Sequence, residues 1–312
     1  MRNRLRAPFA ALVLVAAGVL VLPRLAAGWN ATGHRTISEI AWQNMTPTAR
    51  ARAVDLLLHG PALAGLASLR PTTGPDSARD RALFMNASTW PDLIRDRNMP
   101  WYAYNHPTWH YADFYWDVEN GQPHDIPGTG PDSSNAGERI IAFRDALADP
   151  AVPDTTKAVD LAWILHLVAD VHQPLHASSR VTAQSPLPLG DKGGNDFVLA
   201  DPRHRLHGYW DSILDETVAR APGEDSIAYA SRLAAMIVQQ HPLSALQPRA
   251  DSLDPWGWLH ESLEISEHQA YVGVTPGSAP SVAYQGAAFA TAETRMALAG
   301  YRLAALLNAV LK

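Results

Sequence analysis

The stretch Leu165-His166-Leu167-Val168-Ala169-Asp170-Val171-His172-Gln173-Pro174-Leu175-His176 decides how this chain is read. On a helix, His166 and Asp170 share one face, one turn apart, with roughly 6 Å between their Cβ atoms. Two ligands on one rigid element can grip one ion with little loss of entropy. Val159, Ala162, Trp163 and Val168 extend the apolar pattern back to Pro153-Asp154, which opens the helix. Pro174 ends it, lacking a donor and clashing with the preceding turn. His172 falls about 200° around the helix from Asp170 and is read as structural. His207-Gly208-Tyr209-Trp210-Asp211 repeats the His–Asp spacing, and His176, just past Pro174, can reach either pair.

The rest of the chain is dominated by helical signals. Thr46-Pro47 supplies an N-cap and a first-turn proline for a helix that stops near Gly60. Further helices are expected at Asn135–Leu147, Tyr209–Arg220, Asp225–Gln240, Asp254–Gln269 and Tyr284–Lys312. No alternating strand longer than a few residues stands out. Glu119–Ser134, Ser178–Asn195 and Val272–Ser281 read as long loops, which in a compact domain are usually functional or mobile. No break in composition marks a boundary, so the prediction is one all-α, mostly helical domain over residues 29–312.

Residues 1–28 read as a cleavable export signal: Arg2, Arg4 and Arg6, an apolar run from Ala7 to Leu22, then Ala26-Ala27-Gly28. A secreted or periplasmic protein follows, free of the membrane after cleavage. Losing Arg2, Arg4, Arg6 and Arg24 takes Lys+Arg from 25 to 21 against 31 acids, so the charge moves from −6 to −10. So acidic a protein has no broad basic face for duplex DNA. With no cysteine, any zinc is held by nitrogen and oxygen, which favours catalytic over thiolate-rich structural sites. Cleavage after Gly28 frees the α-amine of Trp29, which titrates near pH ~8 and is open to a metal.

Asp92 in Trp90-Pro91-Asp92-Leu93-Ile94-Arg95 and His110 in Trp109-His110-Tyr111-Ala112-Asp113-Phe114 are weak signals singly. A lone Asp before a helix is more often an N-cap. The G-x-S-x-G and P-loop motifs are absent from the sequence. Taken together with Trp29-Asn30-Ala31-Thr32-Gly33-His34, Gly193-Gly194-Asn195 and Ala299-Gly300-Tyr301-Arg302-Leu303-Ala304, these segments resemble the S1/P1 nuclease family across nearly all of residues 29–312.

That resemblance implies a helical fold holding three Zn²⁺ ions. Asp92, His110, His166 and Asp170 match the ligands of the first ion, Trp29 and His34 with a bridging Asp170 those of the second, and His176, His207 and Asp211 those of the third. Arg95 and Asp113 match catalytic positions; Tyr111 and Asn195 match substrate contacts. The implied activity is hydrolysis of single-stranded DNA and RNA to 5′-nucleotides, with 3′-nucleotides as further substrates, by a monomer. Paired metals about 4 Å apart acidify a shared water, and an aromatic face stacks an unpaired base for about 1–3 kcal/mol. Bacterial zinc phospholipases C resemble the same pattern, but with Glu where Asp211 stands. Asp211 and Gly193-Gly194-Asn195 favour the nuclease. A zinc that only staples loops is disfavoured because structural sites are closed by four protein ligands.

Overall fold

The computed structural model describes residues 29–200 and 204–312, so the expected signal over residues 1–28 lies outside the described residues. Twelve α-helices, one three-stranded sheet and several short 3₁₀ and π turns make up the regular structure of the described residues. No helix among them is long and apolar enough to cross a membrane.

Helix starts follow local chemistry. Asn30 caps α1 (Ala31–Asn44) by accepting from the amides of Thr32 and Gly33. Thr46 caps α2 (Pro47–Leu58), with Pro47 in the first turn where its missing N–H costs nothing. The short α3 (Asp76–Ala87) and α4 (Trp90–Leu93) follow. Asn135 caps α5 (Ala136–Ala148). Then comes α6 (Asp154–Asp170), buried almost all round from Leu161 onward. Its last helical residue is Asp170, the residue whose carbonyl Pro174 would strike if the helix continued.

The remaining helices are α7 (Leu206–Asp211), α8 (Ile213–Thr217), α9 (Ser226–Gln240), α10 (Leu243–Leu246), α11 (Pro255–Ile265) and α12 (Val282–Val310). The helix expected over 209–220 is thus two pieces separated at Ser212, and α11 runs into a π-turn at Ser266–Ala270. α6 forms the centre, flanked by α1, α2, α5 and α12. α12 is buried nearly all round only in its second half, from Ala292 to Ala304. It approaches α1 closely at Gly300, where a Cβ would lie 2.5 Å from Ile40 Cβ.

The sequence reading missed a sheet. β1 (Phe114–Glu119) pairs antiparallel with β2 (Gln122–Asp125), inside a segment read mostly as loop. The turn is Asn120-Gly121, both at positive φ, the dipeptide best suited to a two-residue hairpin. β1 also pairs in parallel with β3 (Ser178–Arg180), Phe114 opposite Ser178. This parallel pairing brings together the two turns that precede the strands, one ending at His110 and the other containing His176. Ala112 N–H donates to the His176 carbonyl at 2.8 Å.

Candidate metal centre and cleft

Six separate elements deliver the ligand-type side chains to one place. His34 comes from α1, Asp92 from α4, His110 from the 3₁₀ turn Pro107–His110, and His166 and Asp170 from the end of α6. His176 comes from the 3₁₀ turn Pro174–Ala177, and His207 and Asp211 from α7. Three groups result: His34, His166 and Asp170; Asp92, His110 and His166; and His176, His207 and Asp211. Within each group the ligand atoms lie within 4.8 Å of one another. Three clusters of these residue types fit three metal sites. The division differs from expectation in two respects: His166, not Asp170, belongs to two groups, and Asp170 groups with His34 and His166 but not with Asp92 and His110.

Asp170 is the centre of the arrangement. Its Oδ2 lies 3.0 Å from His166 Nε2 and 3.1 Å from His110 Nδ1, while its Oδ1 faces His34 Nε2 at 3.4 Å. The two oxygens therefore serve two sides. Burial raises the Asp170 pKa to about 6, with His166 opposing that shift. Burial pulls His166 down, but the carboxylates of Asp170 and Asp92 outweigh it and hold its pKa above the ordinary value. The negative end of the α6 dipole falls at the same point. All of this favours a cation.

Three imidazoles are oriented by main-chain carbonyls. His166 Nδ1–H donates to Ser88 O at 2.8 Å, His176 Nδ1–H to His110 O at 2.6 Å, and His207 Nδ1–H to Gly193 O at 2.7 Å. With Nδ1 carrying the proton, Nε2 presents a lone pair inward. Burial pushes His207 down to about 4 and His176 well below its ordinary value, so both rings are neutral near pH 7. Their Nε2 atoms nevertheless stand 3.1 Å apart. Two lone pairs at that distance repel unless an electron-pair acceptor joins them. Asp211 Oδ2 stands 3.6 Å from His207 Nε2 and adds an oxygen donor there, although burial holds its carboxyl well above the ordinary carboxylate range. Elsewhere His34 has both ring nitrogens, and Asp170 its Oδ1, buried without a hydrogen-bond partner. Such orphaned groups are costly unless something coordinates them. The residues fit bound metal.

Trp29 is fully buried, and the next residue, Asn30, donates its N–H to Asp211 O at 3.0 Å. The start of the described chain thus lies against α7. Asp92 is inside a helical turn rather than capping one, ion-paired to Arg95 at 3.1 Å.

Above the centre opens a cleft of about 470 Å³, and Arg95, Tyr111, Asp113 and Asn195 all line it beside His110, His176 and His207. Tyr111 is exposed at its rim. Desolvation, then Asp191 and Asp132, raise the half-buried Asp113 to about 7. Asn195 donates from its side chain to Lys192 O at 2.8 Å. Lys192, Leu189 and Arg205 also line the cleft and were missed, although Lys192 sits in the Gly-Asp-Lys-Gly-Gly-Asn loop and Arg205 stands two residues before His207. Gln173 was missed as well: its Nε2 donates to Asp211 Oδ1 at 2.7 Å and aims that carboxylate. His172 points away from the centre, as expected, with Nδ1 on Val168 O at 2.7 Å.

A helical chain with three His/Asp groups at and beneath the floor of an open cleft is built as a multimetal hydrolase. The sequence belongs to the S1/P1 nuclease family, whose model matches residues 29–312. It is similar to Endonuclease 2 of Arabidopsis thaliana, 26% identical over 302 residues covering 91% of this chain and 90% of the relative. Endonuclease 4 of the same plant is 26% identical over 304 residues, 94% of each chain. Nuclease S1 of Aspergillus oryzae is 23% identical over 323 residues, 96% of this chain and 97% of the relative. The chain is a nuclease of the endonuclease type, acting on nucleic acid.

Proposed function

We propose that this nuclease is zinc-dependent, cleaves single-stranded DNA and RNA to 5′-nucleotides and removes the phosphate of 3′-nucleotides at the same site. The observation that carries the reading is the facing pair of neutral His176 and His207 lone pairs beside Asp211, a thiol-free donor set suited to zinc. Asp92, His110, His166 and Asp170 hold one ion, His34 and Asp170 with the Trp29 amine and carbonyl a second, and His176, His207 and Asp211 the third. When bound, zinc supplies Lewis acidity toward phosphate oxygens and water. Arg95, steadied by Asp92, offers its fork of donors to the non-bridging phosphate oxygens. Tyr111 stacks an unpaired base at the rim, and a base paired in a duplex cannot present that face. Asp113 holds or releases a proton near neutral pH beside that base. Asn195 gives its amide oxygen to the substrate.

The same reading includes removal of residues 1–28 on export, outside the membrane, and action as a monomer. Supporting it, buried Trp29 leads directly into the Asn30 bond to α7. The test is zinc per chain on processed protein, with cleavage of single-stranded DNA, duplex DNA and phosphatidylcholine before and after chelation. Three zinc ions and chelator-sensitive cleavage of single strands are expected. Equal cleavage of duplex, or hydrolysis of the lipid alone, refutes the assignment. A Gly or Met added before Trp29 displaces the α-amine and cripples the enzyme; an unchanged rate and zinc content would count against processing as part of the site.

A further inference from the structure

We infer that Arg302, Arg295 and Glu261 form a clamp that positions the Val171–His172 turn, and through it the ligands Asp170 and His176. The inference rests on the metal-dependent reading above. None of these three residues touches the cleft; they are positioning residues on the far side of the α6 terminus.

The geometry is specific. Arg302 donates from Nη2 to Glu261 Oε1 at 2.8 Å and from Nη1 to Glu261 Oε2 at 2.8 Å, a two-pronged pairing. Its Nη1 also donates to His172 Nε2 at 2.9 Å. That ring nitrogen is an acceptor because Nδ1–H is committed to Val168 O. Arg295 donates from Nε to His172 O at 3.2 Å and from Nη2 to Ser262 Oγ at 2.8 Å, and its Nη1 pairs with Glu261. Ser262 Oγ in turn donates to Val171 O at 2.6 Å. The carbonyls of Val171 and His172 and the His172 ring are therefore all held by one cluster drawn from α11 and α12.

Position decides the consequence. Val171 and His172 directly follow Asp170, the shared ligand. They directly precede Gln173, which aims Asp211, and His176 lies three residues further on. Arg295 is 0% and Arg302 1% exposed, so the cluster buries two cations against one carboxylate, Glu261, which is itself partly exposed at 26%. An apolar cluster of the same volume would serve stability as well or better. Ionic hydrogen bonds add fixed direction, which a centre built from six elements requires.

The test uses the full processed chain. Zinc per chain, the rate of zinc loss to a chelator, the absorption spectrum of the cobalt-substituted protein and the melting of the metal-free form are measured together. His172→Phe keeps an aromatic ring, somewhat larger, and removes the acceptor for Arg302 together with the donor to Val168 O; His172→Gln keeps an acceptor. Expected for His172→Phe is zinc binding weakened about 10–100-fold and a changed cobalt spectrum, with metal-free melting close to wild type. His172→Gln recovers both readouts. If His172→Phe does not fold, Arg302→Lys, which keeps the charge but loses the fork, is read in the same way. A folded His172→Phe or Arg302→Lys with wild-type zinc retention and spectrum overturns the clamp alone. So does metal loss that merely tracks lost metal-free stability across the variants. A wild-type protein that takes up no metal overturns the metal-dependent reading, and the clamp with it.

Discussion

Gly193→Ala is the sharpest single test of how the third ligand group is held. Gly193 sits at φ +63, where a side chain costs about 1–2 kcal/mol. A Cβ there would lie 2.2 Å from the Leu175 carbonyl oxygen and 3.2 Å from His207 Nδ1. Carbon–oxygen contacts normally begin near 3.3 Å, so one of two backbones must yield by about 1 Å. One of them carries His176, and the other supplies the carbonyl that orients His207 at 2.7 Å. Losing such an orienting partner typically weakens metal affinity 10–100-fold, or about 1.4–2.8 kcal/mol. Calorimetric titration of the metal-free variant with zinc should show two sites near wild-type affinity and one weakened by that factor. The control is Gly208→Ala in α7, where an added Cβ meets no atom within 4 Å. It should bind all three ions and, as an alanine in a helix, gain about 0.5–1 kcal/mol in stability. A Gly193→Ala protein with three wild-type zinc sites, or equal loss in Gly208→Ala, would refute the reasoning.

Asp170→Asn removes charge from the carboxylate that faces His34 on one oxygen and His110 and His166 on the other. It should lower zinc content by more than one ion and abolish cleavage, and a variant that keeps full activity excludes bridging. Tyr111→Ala should raise KM for single-stranded DNA by roughly 5–150-fold, the equivalent of about 1–3 kcal/mol of stacking, with a smaller effect on kcat; an unchanged KM rejects the stacking role. His207 has its folded pKa lowered by burial to about 4, below the ordinary value of 6.5. The unfolded chain therefore binds a proton that the folded metal-free protein refuses between those values, and stability from this residue falls as pH drops from 6.5 toward 4. Melting of the metal-free wild type should lose more over that window than melting of His207→Gln, and parallel curves contradict this.

The parts of the fold that local chemistry dictates were legible. Thr46, Asn135 and Asp225 announce helices because a side-chain oxygen before an apolar repeat satisfies an orphan amide. His166/Asp170 and His207/Asp211 were legible because helix geometry alone sets an i, i+4 pair side by side. The β1–β2 hairpin escaped attention although Asn120-Gly121 marks it, because its strands carry no clean alternation. Gln173 and Gly193 could not be read as orienting groups, since their partners lie 38 and 14 residues away. The Arg302–His172 bond joins residues 130 apart and exists only once α12 has docked. His34 alone gives no signal; its place beside Asp170 depends on α1 packing against α6.

The carbonyls of Ser88, His110 and Gly193 have one more effect. Every residue has a carbonyl, so no substitution at those three positions deletes the acceptor itself. The choice of inward-facing nitrogen is written into the path of the chain rather than into neighbouring side chains. Sequence can drift widely around such a centre while its proton map stays fixed, provided the trace of the backbone is kept.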